Sequence, residues 1–118
     1  MEYPGRRRSM GIPPIGTVLL VNFPFADLNN YKKRPAVVIA EGSLDTMILC
    51  QITSRELPGV PAVKLELADF SEGRLPLISY VRPDKLFTVD SSIKHIPLAR
   101  ISTAKVKVIR QQIIKLFS

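Results

Sequence analysis

The sequence predicts a mainly β chain, a small barrel or strongly curled sheet with one α-helix at its C-terminal end. Three observations predict it. Short apolar runs of strand length follow one another from residue 17 to residue 89, each closed by Pro, Gly or Ser turn signals. Helical patterns do not alternate with these runs, which disfavours a parallel α/β sheet. Only the last segment changes to helical period, and one terminal helix can cover the open face of a curled sheet.

The elements follow in order. Residues 1–14 combine Pro, Gly and the Arg6-Arg7-Arg8 run, and read as a flexible basic arm ahead of a single 15–118 domain, with ordered structure expected from Gly16. Residues 17–23 are rich in Val, Leu and Phe and stop at Pro24. Pro35 opens the next run, 36–41, at a strand's first position, where its missing N–H does little harm. Residues 47–53 follow the Gly42-Ser43 break. Residues 62–67 alternate, with Val63, Leu65 and Leu67 facing in and Lys64 and Glu66 facing out, as in an antiparallel strand with one wet face. Residues 69–73 suggest a short helical turn closed by glycine. Residues 77–82 and 86–89 suggest two more strands joined across Pro83-Asp84. Val106, Ile109, Ile113, Leu116 and Phe117 share one helical face, with Ser102 as N-cap. Two loops, 26–33 and 54–61, are long and polar.

Length and charge bound the function. A chain of 118 residues holds one domain with one core. Its net charge is +7, and discarding residues 1–9 removes three arginines and one glutamate and still leaves +5. The domain itself therefore carries the basic field that attracts polyanions, nucleic acid first among them. No apolar run approaches membrane-spanning length, the basic start lacks the apolar core of a secretory signal, and the lone Cys50 has no internal disulfide partner. A cytoplasmic protein away from membranes is expected, with Cys50 as a small buried hydrophobe.

The sequence excludes several chemistries. With His95 as the one histidine there is no Ser-His or His-His arrangement. No Cys, His or Asp cluster has metal-ligand spacing, no glycine-rich loop cradles phosphate, and the acids are few and scattered. No metal and no cofactor are expected. A catalyst built here must use arginine, a hydroxyl and a carboxylate, and RNA cleavage can be done with those. The ribose 2′-OH is a nucleophile already tethered beside the phosphodiester. A guanidinium can stabilise charge on the phosphoryl oxygens, a Thr or Ser hydroxyl can add a donor, and a carboxylate can take the proton. Such groups stand at strand ends beside the long loops: Lys32-Lys33-Arg34, Thr53-Ser54-Arg55, and Arg82 with Asp84. Each cluster also has an ordinary explanation: solvated loop charges, a strand-end hydroxyl, a surface ion pair.

Their order along the chain adds weight. Gly16-x-Val18, then Arg34-Pro35-Ala36-Val37-Val38-Ile39, then Ile52-Thr53-Ser54, then Ser79-Tyr80-Val81-Arg82-x-Asp84-Lys85-Leu86 resembles the MazF/PemK toxin family over nearly all of residues 16–117. The resemblance implies an SH3-like barrel of the CcdB/PemK type. It implies a homodimer with RNA sites along the subunit interface, and metal-independent, sequence-selective cleavage of single-stranded RNA under the control of an antitoxin. By the same resemblance Arg34 is the catalytic arginine and Thr53 its partner hydroxyl, while Arg82 and Asp84 match an acid/base pair. Ser54, Arg55 and Lys85 would contact substrate, and Asn29, Asn30, Lys32 and Lys33 would grip RNA from the first loop. Arginine holds its proton at neutral pH, so Arg34 suits charge stabilisation and Asp84 suits the base, with a 2′,3′-cyclic phosphate and a 5′-hydroxyl as products. The antitoxin is expected to lay an acidic or apolar segment into the RNA groove. The chain departs from some members that carry a histidine in the first loop, where it has Asn29-Asn30-Tyr31. Two other readings use the same barrel: a protein inhibitor like the gyrase-poisoning relatives of this fold, and a nucleic-acid-binding module without turnover.

Overall fold

The computed structural model describes residues 11–23 and 32–118, without the side chains of Phe23 and Lys32. It contains strands β1 (Thr17–Phe23), β2 (Lys32–Glu41), β3 (Thr46–Thr53), β4 (Val63–Leu65), β5 (Phe70–Gly73), β6 (Ser79–Asp90) and β7 (His95–Ile101), then helix α1 (Thr103–Lys115). All pairings are antiparallel and the order is β4-β6-β3-β2-β1-β7-β5. Chain length forces this sheet to curl. Seven strands laid flat would put β4 and β5 about 29 Å apart at 4.8 Å per strand. The link from Leu65 to Phe70, a 3₁₀ turn at Leu67–Asp69, spans at most about 18 Å fully extended. The two edges must therefore approach, and the sheet is a nearly closed barrel.

Gly16 helps draw the sheet together. Its N–H donates to the Val38 carbonyl at 2.8 Å, and its own carbonyl accepts from the Ile101 N–H at 2.9 Å. Its φ is +98°, and a Cβ there would sit 3.0 Å from the Ile101 carbonyl oxygen, so only glycine fits without strain.

Strands β1, β2 and β3 are apolar on both faces, which explains their near-continuous hydrophobic runs. The registered row Val18, Val37 and Cys50 lies on one face. It joins Ile52, Val63, Leu65, Val81, Ala99 and Ile101, and Val106 and Ile109 of α1 close this cluster. The pairs Leu19–Ala36 and Val38–Leu49 lie on the other face, with Val21, Met47 and Ile12. Ile12 is 8% exposed, so the chain is packed on the barrel before Gly16, earlier than expected. The Ser102 Oγ accepts from the Lys105 N–H, as an N-cap should. Lys105 Nζ also lies 3.4 Å from Asp69 Oδ1, tying α1 to the link between the sheet edges.

The structure corrects the sequence reading in six places. Strand β2 starts at Lys32, so Pro35 stands inside it, opposite Leu20, and not at its first position. The run Phe70–Gly73 is a strand rather than a helical turn. Gly73, at φ +62°, is needed because a Cβ would meet the Leu98 carbonyl oxygen at 2.9 Å across the β5–β7 pairing. The two strands around Pro83 are one strand, β6. Cys50 pairs with Leu86 and Ile52 with Val81, so residues 82–85 bulge opposite Gln51 and Pro83 removes no ladder bond there. Strand β7 was not expected at all. Ile96, Pro97 and Leu98 are exposed and carry no alternation, and Pro97 is tolerated because β5 covers only the Ala99-to-Ile101 end of β7. The strand at 62–67 is shorter, Val63–Leu65, and Leu67 is exposed. Val106 and Ile109 are buried as expected, but α1 ends at Lys115 and leaves Leu116 and Phe117 exposed. Among the described residues no helix is long and apolar enough to cross a membrane.

Candidate active site

Arg34 enters β2 opposite Val21 of β1, on the same strand face as Ala36 and Val38. Thr53 closes β3 on the face of Met47 and Leu49. Ala36 pairs with Gln51, and continuing that antiparallel register by two residues brings Arg34 level with Thr53. Here the apolar rows give way to charge and hydroxyl. Both residues line one cleft of about 260 Å³. Lys33, Ser54 and Arg55 line it as well, and Leu75, Pro76 and Leu77 form an apolar wall.

The cleft's polar groups are well placed for an anion. Thr53, Ser54 and Arg55 make a tight turn in which the Arg55 N–H donates to Thr53 Oγ1 at 3.1 Å. That bond uses the hydroxyl as acceptor, and among the described residues its proton is donated to no protein group. Lys33, Arg34 and Arg55 take part in no ion pair among the described residues. Three cations and a free hydroxyl proton around one small space are what a phosphodiester requires.

Arg82 and Asp84 stand apart from this lining. They sit on the bulge of β6 and bind each other bidentately, Arg82 Nε to Asp84 Oδ1 at 3.1 Å and Nη2 to Oδ2 at 3.0 Å. The side chains are 12% and 37% exposed. Cys50 Sγ donates to the Arg82 carbonyl at 2.8 Å and thereby pins the bulge to β3. Burial pushes the Cys50 thiol up to about 12, with Asp84 adding to the rise and Arg82 opposing it. At neutral pH Cys50 is a structural thiol, not a nucleophile. Lys85 is exposed on the same bulge and does not line the cleft.

Of the remaining residues singled out in the sequence, Asn29 and Asn30 lie outside the described residues. Lys32 begins β2. His95 lies in β7 with Nδ1 2.6 Å from the Ile93 carbonyl oxygen, and it does not line the cleft. Among the described residues no three His, Cys, Asp or Glu side chains gather in a way that could hold a metal ion. Sequence reasoning missed the wall at Leu75, Pro76 and Leu77, and Ser79, which is buried and donates to the Leu77 carbonyl at 2.9 Å. The available signal was the run Leu75-Pro76-Leu77-Ile78, more apolar than an edge segment needs.

Comparison with known proteins gives a consistent pattern. The family model described as a PemK-like, MazF-like toxin of type II toxin-antitoxin systems matches residues 15–117. Among solved structures the chain is similar to MazF from Deinococcus radiodurans. The two are 24% identical with a TM-score of 0.69, over 89% of this chain and 96% of that one. It is similar to a chain of a MazE-MazF structure from the same organism, at 24% identity and a TM-score of 0.65, over 89% and 94% of the two chains. It is also similar to an endoribonuclease from a Mycobacterial species, at 15% identity and a TM-score of 0.66, over 89% and 90%. No curated protein matches the sequence.

Proposed function

The chain belongs to the PemK-like, MazF-like toxin family of type II toxin-antitoxin systems, and from that membership and its cleft we propose that it is an endoribonuclease cutting single-stranded RNA. The observation that carries the reading is the cleft itself, where Arg34 and Thr53 meet with Lys33, Ser54 and Arg55 around a space of about 260 Å³. Cleavage is metal-independent in this proposal. The RNA's own 2′-oxygen attacks the adjacent phosphorus, the bond to the 5′-oxygen breaks, the leaving 5′-oxygen takes a proton from water, and the products are a 2′,3′-cyclic phosphate and a 5′-hydroxyl. Arg34 stabilises the negative charge that develops on the phosphoryl oxygens, and the Thr53 hydroxyl donates to one of them. Lys33, Ser54 and Arg55 hold the flanking backbone, and Lys85 extends the basic surface along the bulge.

Asp84 is the base that accepts the 2′-OH proton, with Arg82 orienting it. The pair faces Gln51, two positions from Thr53 along β3. The bound strand must therefore run along β3 from Thr53 toward Gln51 to bring its ribose within reach. Asn29, Asn30 and Lys32 belong to the first loop, which we assign to RNA contact. The active form is a homodimer in the cytoplasm, silenced by a partner antitoxin. The similarity to chains solved as MazE-MazF complexes and to an endoribonuclease solved with its cognate antitoxin supports that partner.

The test is cleavage of a long single-stranded RNA by purified protein in excess chelator. Cutting persists, Arg34→Ala and Thr53→Ala each lower it by about 10²-fold or more, and the variants keep the parent's unfolding midpoint. Cutting that depends on added magnesium rejects the mechanism. A protein-inhibitor reading of the same barrel predicts stable binding to a protein target with no RNA cut, and a binding module predicts steep salt dependence with no turnover. The inhibitor reading does not explain why a guanidinium and a hydroxyl converge on one small cleft, and turnover separates the ribonuclease from the binding module.

A further inference from the structure

The wall at Leu75, Pro76 and Leu77 has a second side. The same three residues line a larger cavity of about 580 Å³, bounded otherwise by Leu65, Glu66, Leu67, Phe70, Arg74 and Ile78. The two spaces thus share one segment of chain. At 260 Å³ the cleft suits a phosphate and part of a sugar, whereas the larger cavity falls within the ordinary range for small-molecule sites, about 300–1,000 Å³.

We propose that this cavity is a base-recognition subsite, taking the nucleobase next to the phosphate held at Arg34, and that guanine fits it best. The proposal rests on the ribonuclease reading above. Its lining has the two components that single-stranded RNA recognition uses, apolar or aromatic surface for the base plane and a few fixed donors for the base edge. Phe70 is half-buried, packed against the core cluster, and lines the cavity. Leu67, Leu77 and Ile78 are 66%, 65% and 56% exposed, an apolar surface left facing solvent around the opening. Arg74 is exposed on the lining and forms no ion pair among the described residues. Glu66, the other charged lining residue, is occupied: its carboxylate lies 3.5 Å from Lys64 Nζ, and its N–H donates to Asp69 Oδ2 at 2.7 Å. Arg74 is thus the free polar head of the cavity. A guanidinium fork offers paired donors that match guanine's adjacent acceptors O6 and N7, and at about 580 Å³ the cavity has room for a purine, larger than cytosine with its own adjacent pair N3 and O2.

The experiment maps cut sites on a random single-stranded RNA pool for the unaltered protein, Arg74→Ala and Arg74→Lys. Arg74 is on the surface, so neither substitution should threaten folding. The expected result is a guanine preference at one position flanking the cut. Arg74→Ala lowers cutting of guanine-bearing sites about ten-fold, leaves sites without guanine unchanged, and is not rescued by Arg74→Lys, which keeps the charge but loses the fork. A uniform loss over all sites, restored by lysine, makes Arg74 a phosphate contact and overturns the proposal. Cut-site preferences unchanged by either substitution overturn it as well, and in both cases the ribonuclease assignment stands. If the unaltered protein cuts no RNA, the ribonuclease reading falls and this subsite falls with it.

Discussion

Removing the side chain of Arg110 should destabilise the barrel by about 1–2 kcal/mol. Strands β2 and β3 lose register between Val38 and Ala40, so Ile39 is the extra residue of a bulge. Its carbonyl is left without a ladder partner in a residue only 5% exposed. Arg110 of α1 supplies the partner, donating through Nε at 3.0 Å and through Nη2 to the same oxygen. Hydrogen bonds from a charged donor contribute about 1.5–3 kcal/mol, and a buried acceptor left unmade costs about as much. The site discounts that figure, because Arg110 lines an open cavity of about 690 Å³ through which water can reach the carbonyl. The lower part of the range follows. With an unfolding entropy of about 2.1 cal/mol/K per residue over 118 residues, the loss corresponds to a Tm lower by roughly 4–8 °C. Urea unfolding of Arg110→Ala should move the midpoint at an unchanged m-value. Arg110→Lys should fall between the two, since one ammonium donor replaces a fork. A midpoint unchanged within about 0.5 kcal/mol for Arg110→Ala would refute the claim that α1 is bonded to the sheet through this carbonyl.

Two further outcomes follow from local geometry. Cys50 has a folded-state pKa raised from 9.0 to about 12, so its contribution to stability is complete below pH 9 and is lost as pH climbs toward 12, because the unfolded chain releases the proton first. Above pH 9 the native protein should lose up to about 1.4 kcal/mol per pH unit more than Cys50→Ala, read from unfolding midpoints of both proteins across that interval. Parallel curves would show that burial does not hold the thiol protonated. At the β2–β3 turn Leu44 and Asp45 have φ of +57° and +60°, a two-residue hairpin geometry that favours Asn-Gly. Leu44 is 92% exposed and contributes little packing. Leu44→Asn combined with Asp45→Gly should therefore stabilise the protein by about 1 kcal/mol, and a lower unfolding midpoint would contradict the strain.

The wall beside the cleft shows why part of the site escaped the linear reading. Arg34, Thr53, Ser54 and Arg55 were identifiable because their chemistry is polar and each sits at the end of an apolar run, where a strand meets a loop. Leu75, Pro76 and Leu77 carry no reactive group, and only the closing of the sheet brings them against Thr53. The placement of Arg82 and Asp84 was equally hidden. Their spacing of two suggests an ion pair, and the pair exists, but a bulge opposite Gln51 decides which way it faces. Register depends on both strands at once, so no single run of residues encodes it.

What the chain alone determined is the set of local elements with strong periodicity: β1, the apolar core of β2, β3 and the capped helix. Apolar spacing and turn residues act between near neighbours, and they do so whatever the rest of the chain is doing. Tertiary structure alone decided the rest. Strand β7 and the strand at Phe70–Gly73 lack a pattern of their own and exist because a neighbour offers hydrogen bonds, and the two halves of β6 become one strand only through their shared pairing with β3. The four-residue link between β4 and β5 cannot span a flat sheet, and the curl it enforces gathers distant strand ends around one cleft.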